Sequence, residues 1–485
     1  MTEIRSQEEI PDKKHDIDRI LDDQSLKASV EECAYASLMV GSGENFLAPY
    51  AIFLKATNFQ LGLLSSLPLL LGAISQLIGV WLSELSPSRL KIILRCVLVQ
   101  SLVWLPISVL YFFAGQSPQA VWLLILLYGA YFISGNLAAP AWSSLIGDLS
   151  PADIRGRFFG LRNEKSSIVM LLTLIGAGAL LEVFTWLGYR GFGFLLLFFC
   201  AFAGRMVSLH YLSLHRDPHY IVEAHAKFSY YKFLKRSFKS NFARFVYFVS
   251  AISFSVMIAG PFFAPYMLNV LGFSYFTYSL MTVTTLATMF LTARYWGKLA
   301  DKYGNKSILR LCAIGVTINP LLYLVWSSVV GCLFISAFAG IVWAGYNLAV
   351  SNFLFDAVTP PKRSRCVAYQ AITNAVFLFA GSLFGAWLLN VLPSWFPFHH
   401  GIWTPDSAYL QIFFISVIFR AVACYFLLST FREVREVASI RQTELFIKFI
   451  SVLPYVGSSI DYFFGRRSRE RKALGKSSSG TPTTS

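Results

Sequence analysis

Long apolar runs separated by short polar segments dominate this sequence. Runs of about 20 apolar residues, enough to cross a ~30 Å hydrocarbon layer as a helix, recur from residue 33 to residue 429. The polar stretch 42–45 interrupts the first run, which makes it the weakest. The pattern predicts an all-α membrane protein with twelve spans near 33–54, 60–82, 92–113, 120–146, 166–187, 192–213, 245–268, 276–297, 308–328, 332–355, 367–391 and 408–429.

The composition excludes most soluble classes. Apolar residues make up 55% and charged residues 14% of the 485 residues, against about 45–50% and 25% in soluble globular chains. The seven cysteines are scattered and form no CxxC pair, so neither a disulfide framework nor a metal site is expected. The sequence lacks GxxxxGK[ST], HExxH and GxSxG. We therefore expect no enzyme activity and no cofactor.

Lysines and arginines alternate between loops. If the N-terminus is cytoplasmic, nearly all of them fall in cytoplasmic segments, except Lys55, Arg190 and the intramembrane Arg205 and Arg420. Both termini are then expected in the cytoplasm, and the net charge of +15 would face anionic lipid rather than nucleic acid. Residues 1–32 lack the apolar core of a signal peptide. Compact loops favour a bacterial inner membrane, and we expect a monomer.

Several short patterns recur about 210–217 residues apart and indicate a duplication. Ala48-Pro49-Tyr50 returns as Ala264-Pro265-Tyr266, and Asn136, Arg155 and Arg205 return as Asn347, Arg365 and Arg420. Two pseudo-symmetric six-helix bundles are therefore predicted, residues 33–213 and 245–429, joined by a cytoplasmic loop, 214–244. The tails are 1–32 and 430–485. In the second tail an apolar segment beside a basic cluster is expected at the membrane interface, followed by a disordered end.

One inter-helix segment carries a family resemblance. The stretch Gly297 to Lys306 reads G-K-L-A-D-K-Y-G-N-K. It resembles the loop 2–3 signature of the major facilitator superfamily, departing at Asn305, where a basic residue is usual. The first-half copy, 80–89, is degenerate, and the segment 151–156 resembles the superfamily's loop 4–5 pattern. The resemblance implies the superfamily's fold, alternating access between two bundles, and a cavity lined by helices 1, 4, 7 and 10.

The resemblance also implies a cytoplasmic gate. Asp301 would meet the start of the fifth span near Lys165, and Glu84 the start of the eleventh, in the state closed on the cytoplasmic side. The alternative is that both are ordinary solvated charges. Asp148 and Asp356 could pair with Arg155 and Arg365, as simple surface ion pairs. The predicted gate comprises Gly297, Asp301, Lys302, Gly304, Lys306, Glu84, Arg89, Asp148, Arg155, Asp356 and Arg365.

Glu44 is the sharpest chemical feature, since it lies near the middle of the first span. Intramembrane ionisable residues are functional candidates, so Glu44 could bind and release a proton; the alternative is a structural glutamate. Midplane amides could orient a substrate or bond between helices, and aromatic residues could line its path. The predicted cavity comprises Glu44, Asn45, Asn136, Asn347, Tyr50, Tyr266, Trp343 and Tyr346.

Arg205 and Arg420 occupy equivalent positions on the sixth and twelfth spans, which are peripheral supports in the superfamily's fold. We expect each guanidinium to find partners within its own half, as a structural intramembrane group. Taken together, the sequence predicts a secondary active transporter of a small organic solute, proton-coupled through Glu44. The alternative is a non-transporting scaffold, receptor or lipid-handling protein that shares this fold.

Overall fold

The computed structural model describes residues 13–86, 88–218, 240–358, 360–393, 407–438 and 440–452. Within these ranges the chain is helical, with no β-strand. Short helices Lys13–Asp22 and Gln442–Val452 precede and follow twelve longer segments. These are α1 (Gln24–Ser42, then Leu47–Phe53), α2 (Asn58–Leu85), α3 (Arg89–Ala114), α4 (Pro118–Leu149), α5 (Arg155–Trp186), α6 (Arg190–Ser213), α7 (Asn241–Val270), α8 (Tyr275–Tyr303), α9 (Asn305–Leu322), α10 (Val329–Asp356), α11 (Pro360–Val391) and α12 (Ala408–Leu427).

Ten of these helices are long and apolar enough to span a membrane. The exceptions are α1, which is broken by a turn, and α9, whose 18 residues include the polar Asn305, Lys306, Arg310 and Asn319. α1 begins at Gln24, ahead of the predicted start at residue 33. The hydropathy pattern misses this start because Glu31 and Glu32 lie there, and both have basic partners on other helices.

The helices pair in the same way in both halves. In the N-terminal half, α1 packs against α5 and α6, α2 against α4, and α3 against α4 and α6. In the C-terminal half, α7 packs against α11 and α12, α8 against α10, and α9 against α10 and α12. Adding six to each helix number converts the first set into the second. The predicted all-α fold of two pseudo-symmetric six-helix bundles is therefore confirmed.

α1 and α7 are interrupted at equivalent places. A 3-10 turn, Glu44–Phe46, breaks α1, and a 3-10 turn, Gly260–Phe262, breaks α7. Pro49 and Pro265 follow these turns, and each lacks the N–H that would continue the helical hydrogen bonds. The break in α1 also needs a glycine, since a Cβ on Gly43 would lie 2.5 Å from the Trp104 ring.

The two halves meet through α2 with α11 and α5 with α8. The Ser382 hydroxyl donates to the Gly62 carbonyl at 2.7 Å. In the other pair, a Cβ on Gly178 would overlap the Ser279 side chain. These contacts lie toward the end where α2 and α8 begin, which we call the opposite end. The other end, where α1 begins and α12 finishes, is called the basic end. The halves are therefore closed together at the opposite end.

Candidate functional site

A groove between the two halves lies in the basic half of the bundle. Its volume is about 480 Å³, and α5, α8 and α10 supply its walls. Most of the lining is apolar, four positions carry a hydroxyl or an amide, and no charged side chain lines it. The lining residues are Ser166, Ser167, Met170, Leu171, Leu286, Met289, Phe290, Ala293, Ala344, Asn347, Leu348 and Ser351. We call this cavity the inter-half groove.

Glu44 is the first residue of the 3-10 turn in α1 and is half-buried. The Tyr131 hydroxyl of α4 donates a hydrogen bond to Glu44 Oε1. Tyr131 is itself buried, stacked on Tyr128 with ring centroids 5.7 Å apart and edge-on to Trp104 at 5.2 Å. The broken helix thus holds a carboxylate against an aromatic wall. A hydrogen bond from a hydroxyl to an ionised carboxylate is stronger than one to a neutral carboxyl group, so it weakens when the carboxylate binds a proton.

The turn is stabilised by its own side chains. Asn45 Nδ2 donates to the Val40 carbonyl at 3.0 Å, which satisfies a carbonyl at the end of the first part of α1. The Phe46 amide donates to the Gly43 carbonyl at 3.0 Å. Asn45 therefore supports the break beside Glu44. In this structure the amide bonds within α1 and not across helices, and a substrate contact by Asn45 stays a prediction.

α1 lies directly behind one wall of the inter-half groove. The Ser37 and Ser166 hydroxyls are 2.6 Å apart. A Cβ on Gly41 would lie 2.9 Å from the Thr173 side chain and 3.3 Å from the Met170 carbonyl. Because Ser166 and Met170 also line the groove, a displacement of α5 reaches α1 within one turn of Glu44.

A buried ion network ties α1 to α5 and α6. The Glu32 carboxylate lies 2.5 Å from Arg162 Nη2 and 3.5 Å from Arg205 Nη1, and it accepts from Ser208 at 3.0 Å. Glu32 is only 4% exposed. Beside it, Lys165 Nζ lies 2.6 Å from Glu31. Sequence reasoning missed this network because it placed both glutamates before the first span.

The equivalent arginines on α6 and α12 differ in their partners. Arg205 Nε donates to Gln100 Oε1 of α3 at 2.8 Å and also reaches Glu32. Arg420, 2% exposed, donates to the Val316 carbonyl of α9 at 2.6 Å and to Ser416 at 3.0 Å. Each guanidinium takes these partners within its own half, but the network with a carboxylate occurs in the N-terminal half.

The first residues of α3 and α9 hold the acids that end α4 and α10. Arg89 Nη1 lies 2.7 Å from Asp148 Oδ2, and Asn305 Nδ2 donates to Asp356 Oδ2 at 2.8 Å. Asn305, where the superfamily pattern has a basic residue, keeps the contact through its amide. Arg435 supplies the missing charge, with Nε 2.8 Å from Asp356.

The predicted pairing of Asp148 with Arg155 is therefore wrong. Arg155 instead donates to the Ser150 and Gly147 carbonyls, at 2.9 and 3.0 Å, and so caps the end of α4. Asp148 is satisfied by Arg89, whose side chain is fully buried and reaches α4 from the start of α3. The expected pairing of Asp356 with Arg365 involves a side chain outside the described residues.

Asp301 does not meet α5 in this conformation. Its carboxylate is 78% exposed and lies 3.6 Å from Arg435 Nη1, while Lys165 is bound to Glu31. Hydrogen bonding to Asp356 raises the pKa of Arg435, so its charge persists between these acids. The predicted latches belong to a state closed at the basic end, and they stay predictions. Glu84 and Arg365, the second latch, have side chains outside the described residues.

The other predicted gate residues shape the loop between α8 and α9. Gly304 has φ of 81°, which favours glycine, at the turn between the helices. Lys306 Nζ donates to the Phe431 carbonyl, and its backbone N–H donates to Glu433 at 2.7 Å. Lys302 lies over the Tyr303 ring at 5.6 Å. Gly297 faces Leu348 of α10, where a Cβ would make ordinary contact at 4.0 Å.

The expectation that three tyrosines line the cavity is wrong. Tyr50 and Tyr266 are fully buried and Tyr346 is 4% exposed, all in packed cores. The Tyr50 hydroxyl bridges to α3, donating to the Ile107 carbonyl at 3.3 Å. The rings of Tyr50 and Tyr266 fill space beside the helix breaks, whereas Tyr346 packs in the core beside the unbroken α10. Half-buried Trp343 packs edge-on against Tyr346, with ring centroids 5.4 Å apart.

The two midplane asparagines differ in their surroundings. Asn347 is exposed in the inter-half groove. Asn136 Nδ2 donates to the Phe132 carbonyl at 2.9 Å, and a Cβ on Gly72 of α2 would meet this amide at 2.6 Å. Asn347 is therefore the member of this pair that lines the inter-half groove. In the described part of the chain, no cluster of three or more histidine, cysteine or acidic side chains could hold a metal.

Comparison with known proteins agrees with this architecture. Residues 243–460 match the family model described as Major Facilitator Superfamily. No curated relative matches the sequence. A bacterial homolog of the human lysosomal transporter Spinster, solved in an inward-facing unoccupied conformation, is 16% identical, with a TM-score of 0.61 over 88% of this chain and 97% of its own.

Two further solved structures share the fold. The nucleoside transporter NupG is 14% identical, with a TM-score of 0.62 over 84% of this chain and 98% of its own. A D-xylose-proton symporter is 15% identical, with a TM-score of 0.63 over 88% of this chain and 100% of its own. The family model thus matches the C-terminal half of this chain, and these solved structures share the fold of both halves.

Proposed function

We propose that the protein is a secondary active transporter, which carries a small uncharged organic solute by alternating access. The observation that carries the proposal is the asymmetric closure of two like bundles. Their contacts close the opposite end, through Gly62 with Ser382 and Tyr409 with Asn58 (3.1 Å), while the groove between them lies in the basic half. Rocking about this interface would expose the groove to each side in turn.

The lining of the groove supports the solute class. A volume of about 480 Å³ falls within the range of small-molecule sites. Apolar side chains dominate, and Ser166, Ser351 and Asn347 offer hydroxyl and amide groups for a few directed hydrogen bonds. A charged solute would find no counter-ion there, and its desolvation would cost several kcal/mol. The lining thus favours an uncharged amphipathic molecule.

Proton coupling is proposed through Glu44. In its ionised form the carboxylate accepts a charge-assisted hydrogen bond from Tyr131, and this bond holds the break of α1 against α4. A proton on Glu44 would remove the charge and weaken that bond. α1 would then be freer to move with α5, which it contacts at Ser37 and Gly41. Occupancy of the groove and protonation of Glu44 would in this way bias the same movement.

The test uses purified protein in liposomes that enclose a pH-sensitive dye. We would add a panel of nucleosides and pentoses, together with other uncharged solutes of similar size. Wild-type protein is expected to move protons when a transported solute is added, and Glu44→Gln is expected to abolish that flux. Tyr131→Phe should reduce it. Glu164→Gln, which removes an exposed carboxylate from the same half, is the matched control and should retain it.

Two outcomes would count against the proposal. Solute-driven proton flux that survives Glu44→Gln would remove the assigned coupling residue and leave transport intact. A panel that gives neither flux nor thermal stabilisation would favour the alternative, a non-transporting protein of this fold. The two results are distinguishable, because uptake of a radiolabelled solute reports transport whether or not protons accompany it.

A further inference from the structure

A second cavity lies on the outer surface of the C-terminal half. It has a volume of about 640 Å³ and runs between α9 and α12 at the basic end. Its lining is mostly apolar, with two cations at one end and no acidic side chain. We call it the α9–α12 groove, and its lining residues are Lys306, Arg310, Ile314, Thr317, Ile318, Ala421, Cys424, Tyr425, Leu428 and Ser429.

The spacing along α9 makes the groove a continuous track. Lys306, Arg310, Ile314 and Ile318 follow one another every four residues and so share one face of the helix. From the first to the last the track is about 18 Å long, comparable to an extended acyl chain. Ile314 is 43% exposed and Tyr425, on the facing wall, is 78% exposed. The track therefore begins with positive charge and continues with exposed apolar surface.

The two cations are not neutralised by acids in the groove. Arg310 is exposed, and in the described residues no hydrogen bond or ion pair is found for its guanidinium. Lys306 donates to the Phe431 carbonyl, which is uncharged. Two acids, Glu433 and Glu436, line a separate cavity beside these cations, and Glu433 accepts the backbone N–H of Lys306 at 2.7 Å. A ligand with a negative group would thus find a donor fork on Arg310 that the protein leaves unused.

The N-terminal half shows that the fold does not require these cations. Arg89 at the start of α3 binds Asp148, and Asn305 at the start of α9 binds Asp356 in the equivalent way. Arg89 and Asn305 are 216 residues apart. With this offset, Leu90 and Leu94 correspond to Lys306 and Arg310. These leucines pack in an apolar cluster with α6. The pseudo-symmetric position is closed by leucines in one half and is open and cationic in the other.

We infer that the α9–α12 groove binds an anionic phospholipid. The guanidinium of Arg310 would take the phosphodiester through paired N–H donors, with Lys306 beside it. One acyl chain would follow Ile314 and Ile318 toward the membrane centre. Basic pockets between spanning helices on the cytoplasmic side suit anionic head groups. The apolar track would also bind an acyl chain, which a soluble phosphate ester does not have. The inference does not depend on the transport proposal.

The experiment is native mass spectrometry of the full chain in detergent, titrated with phosphatidylglycerol or with phosphatidylcholine. Wild-type protein should retain phosphatidylglycerol preferentially. Arg310→Gln should weaken its binding about fivefold, as expected for one basic residue near a charged surface, and Arg310→Glu should abolish the preference. Arg95→Glu, which reverses an exposed charge on the corresponding helix of the other half, is the matched control and should keep it.

A second variant tests the track itself. Ile314→Trp should fill the groove and lower retention of phosphatidylglycerol while leaving Arg310 in place. Glycerophosphoglycerol, the head group without acyl chains, should not displace the lipid. Equal loss of preference in Arg310→Glu and Arg95→Glu would show diffuse surface attraction and overturn the inference. Wild-type protein with no preference, or Ile314→Trp with unchanged retention, would overturn it as well.

Discussion

In α1 the 3-10 turn begins at Glu44, and in α7 the equivalent turn, 216 residues later, begins at Gly260. Gly129 of α4 packs against Leu71 of α2, and Gly340 of α10 packs against Thr288 of α8 in the same way. With this alignment of α4 and α10, Tyr131, which donates to Glu44, corresponds to Val342. The same backbone break is thus built twice, once around a carboxylate and once around apolar residues. Function at this break is expected in the N-terminal half.

The arginines repeat the contrast one layer nearer the basic end. Arg205 joins Glu32, Gln100 and Arg162 in a buried polar network. Arg420 occupies the equivalent position on α12, but its partners are a carbonyl and a hydroxyl. Duplicated bundles can therefore share packing and differ in polar chemistry, since Arg205 meets a carboxylate and Arg420 meets uncharged groups.

Removing Glu32, which breaks the ion network of the N-terminal half, should destabilise the protein most. Glu32→Ala would leave Arg162 and Arg205 as uncompensated buried charges, which typically costs about 3–5 kcal/mol. Thermal unfolding in detergent, with the monodisperse fraction measured by size exclusion, should show it. Glu31→Gln is the control, because the side chains of Glu31 and Lys165 are each about one-third exposed. Exposed ion pairs contribute only about 0–1 kcal/mol to the free energy of unfolding. Equal losses in both variants would contradict the network's role.

The arginines should then respond unequally. Arg205→Met leaves Gln100 and part of Glu32 unsatisfied, and we expect a loss of about 2 kcal/mol. Arg420→Met removes a buried cation that has no carboxylate, so its desolvation cost disappears along with two hydrogen bonds, and about 1 kcal/mol or less is expected. Folded yield should fall more than the solute KM rises in both variants. A larger rise in KM than fall in yield would make either arginine a solute ligand.

Two equivalent glycines should also differ, but here the substitution in the C-terminal half should cost more stability than the one in the N-terminal half. A Cβ on Gly340 would overlap Thr288 and the Thr285 carbonyl, whereas a Cβ on Gly129 would meet only the tip of Leu71, at 3.3 Å. Gly340→Ala should cost about 1–3 kcal/mol through overpacking, and Gly129→Ala less than about 1 kcal/mol, since the leucine can shift. Melting temperatures in one detergent measure both. A reversed order would mean that the halves are not packed as described.

The smallest effect is a pH dependence confined to one half. His215 Nδ1 lies 3.0 Å from the Leu212 carbonyl, and 215 residues later Thr430 Oγ1 donates to the Leu427 carbonyl at 2.6 Å. Burial lowers the pKa of His215 below the ordinary histidine value of about 6.5. The unfolded chain therefore binds more protons below that pH, so stability falls on acidification, at most about 1.4 kcal/mol per pH unit.

His215→Thr introduces at position 215 the residue type that the C-terminal half has at the equivalent position, Thr430. It should remove this part of the pH dependence and leave stability near pH 7.5 almost unchanged. Unfolding midpoints at pH 5.5, 6.5 and 7.5 would test the prediction. An unchanged slope in the variant would assign the acid sensitivity to other groups.

The fold was predictable to a large degree from this sequence, because apolar runs, basic loops and repeats such as Ala48-Pro49-Tyr50 are local signals. The start of α1 was not, since Glu31 and Glu32 look like loop residues until Lys165 and Arg162 are placed beside them. Which partner an acid takes likewise depends on three-dimensional placement, as Asp148 shows.

The candidate site was predicted in part. The interrupted polar stretch pointed to Glu44, but the hydroxyl that holds it comes from α4, and no local pattern connects the two. The tyrosines of the repeated triplets were assigned to a cavity because their helices face one in the superfamily. Helix identity does not determine which face a side chain occupies, and Tyr50 and Tyr266 turn into the cores.

We propose that the two bundles rock about their interface and that Glu44 biases this movement. The most direct test is pulsed electron-spin distance measurement in liposomes, with one label pair at 164 and 351 near the basic end and another at 189 and 330 near the opposite end. Wild-type protein is expected to show two distances for each pair, with the short fraction at one end matching the long fraction at the other, and Glu44→Gln should shift both in opposite senses. A single unchanged distance at both ends, in wild type and variant alike, would show that the bundles do not rock and that Glu44 does not bias them.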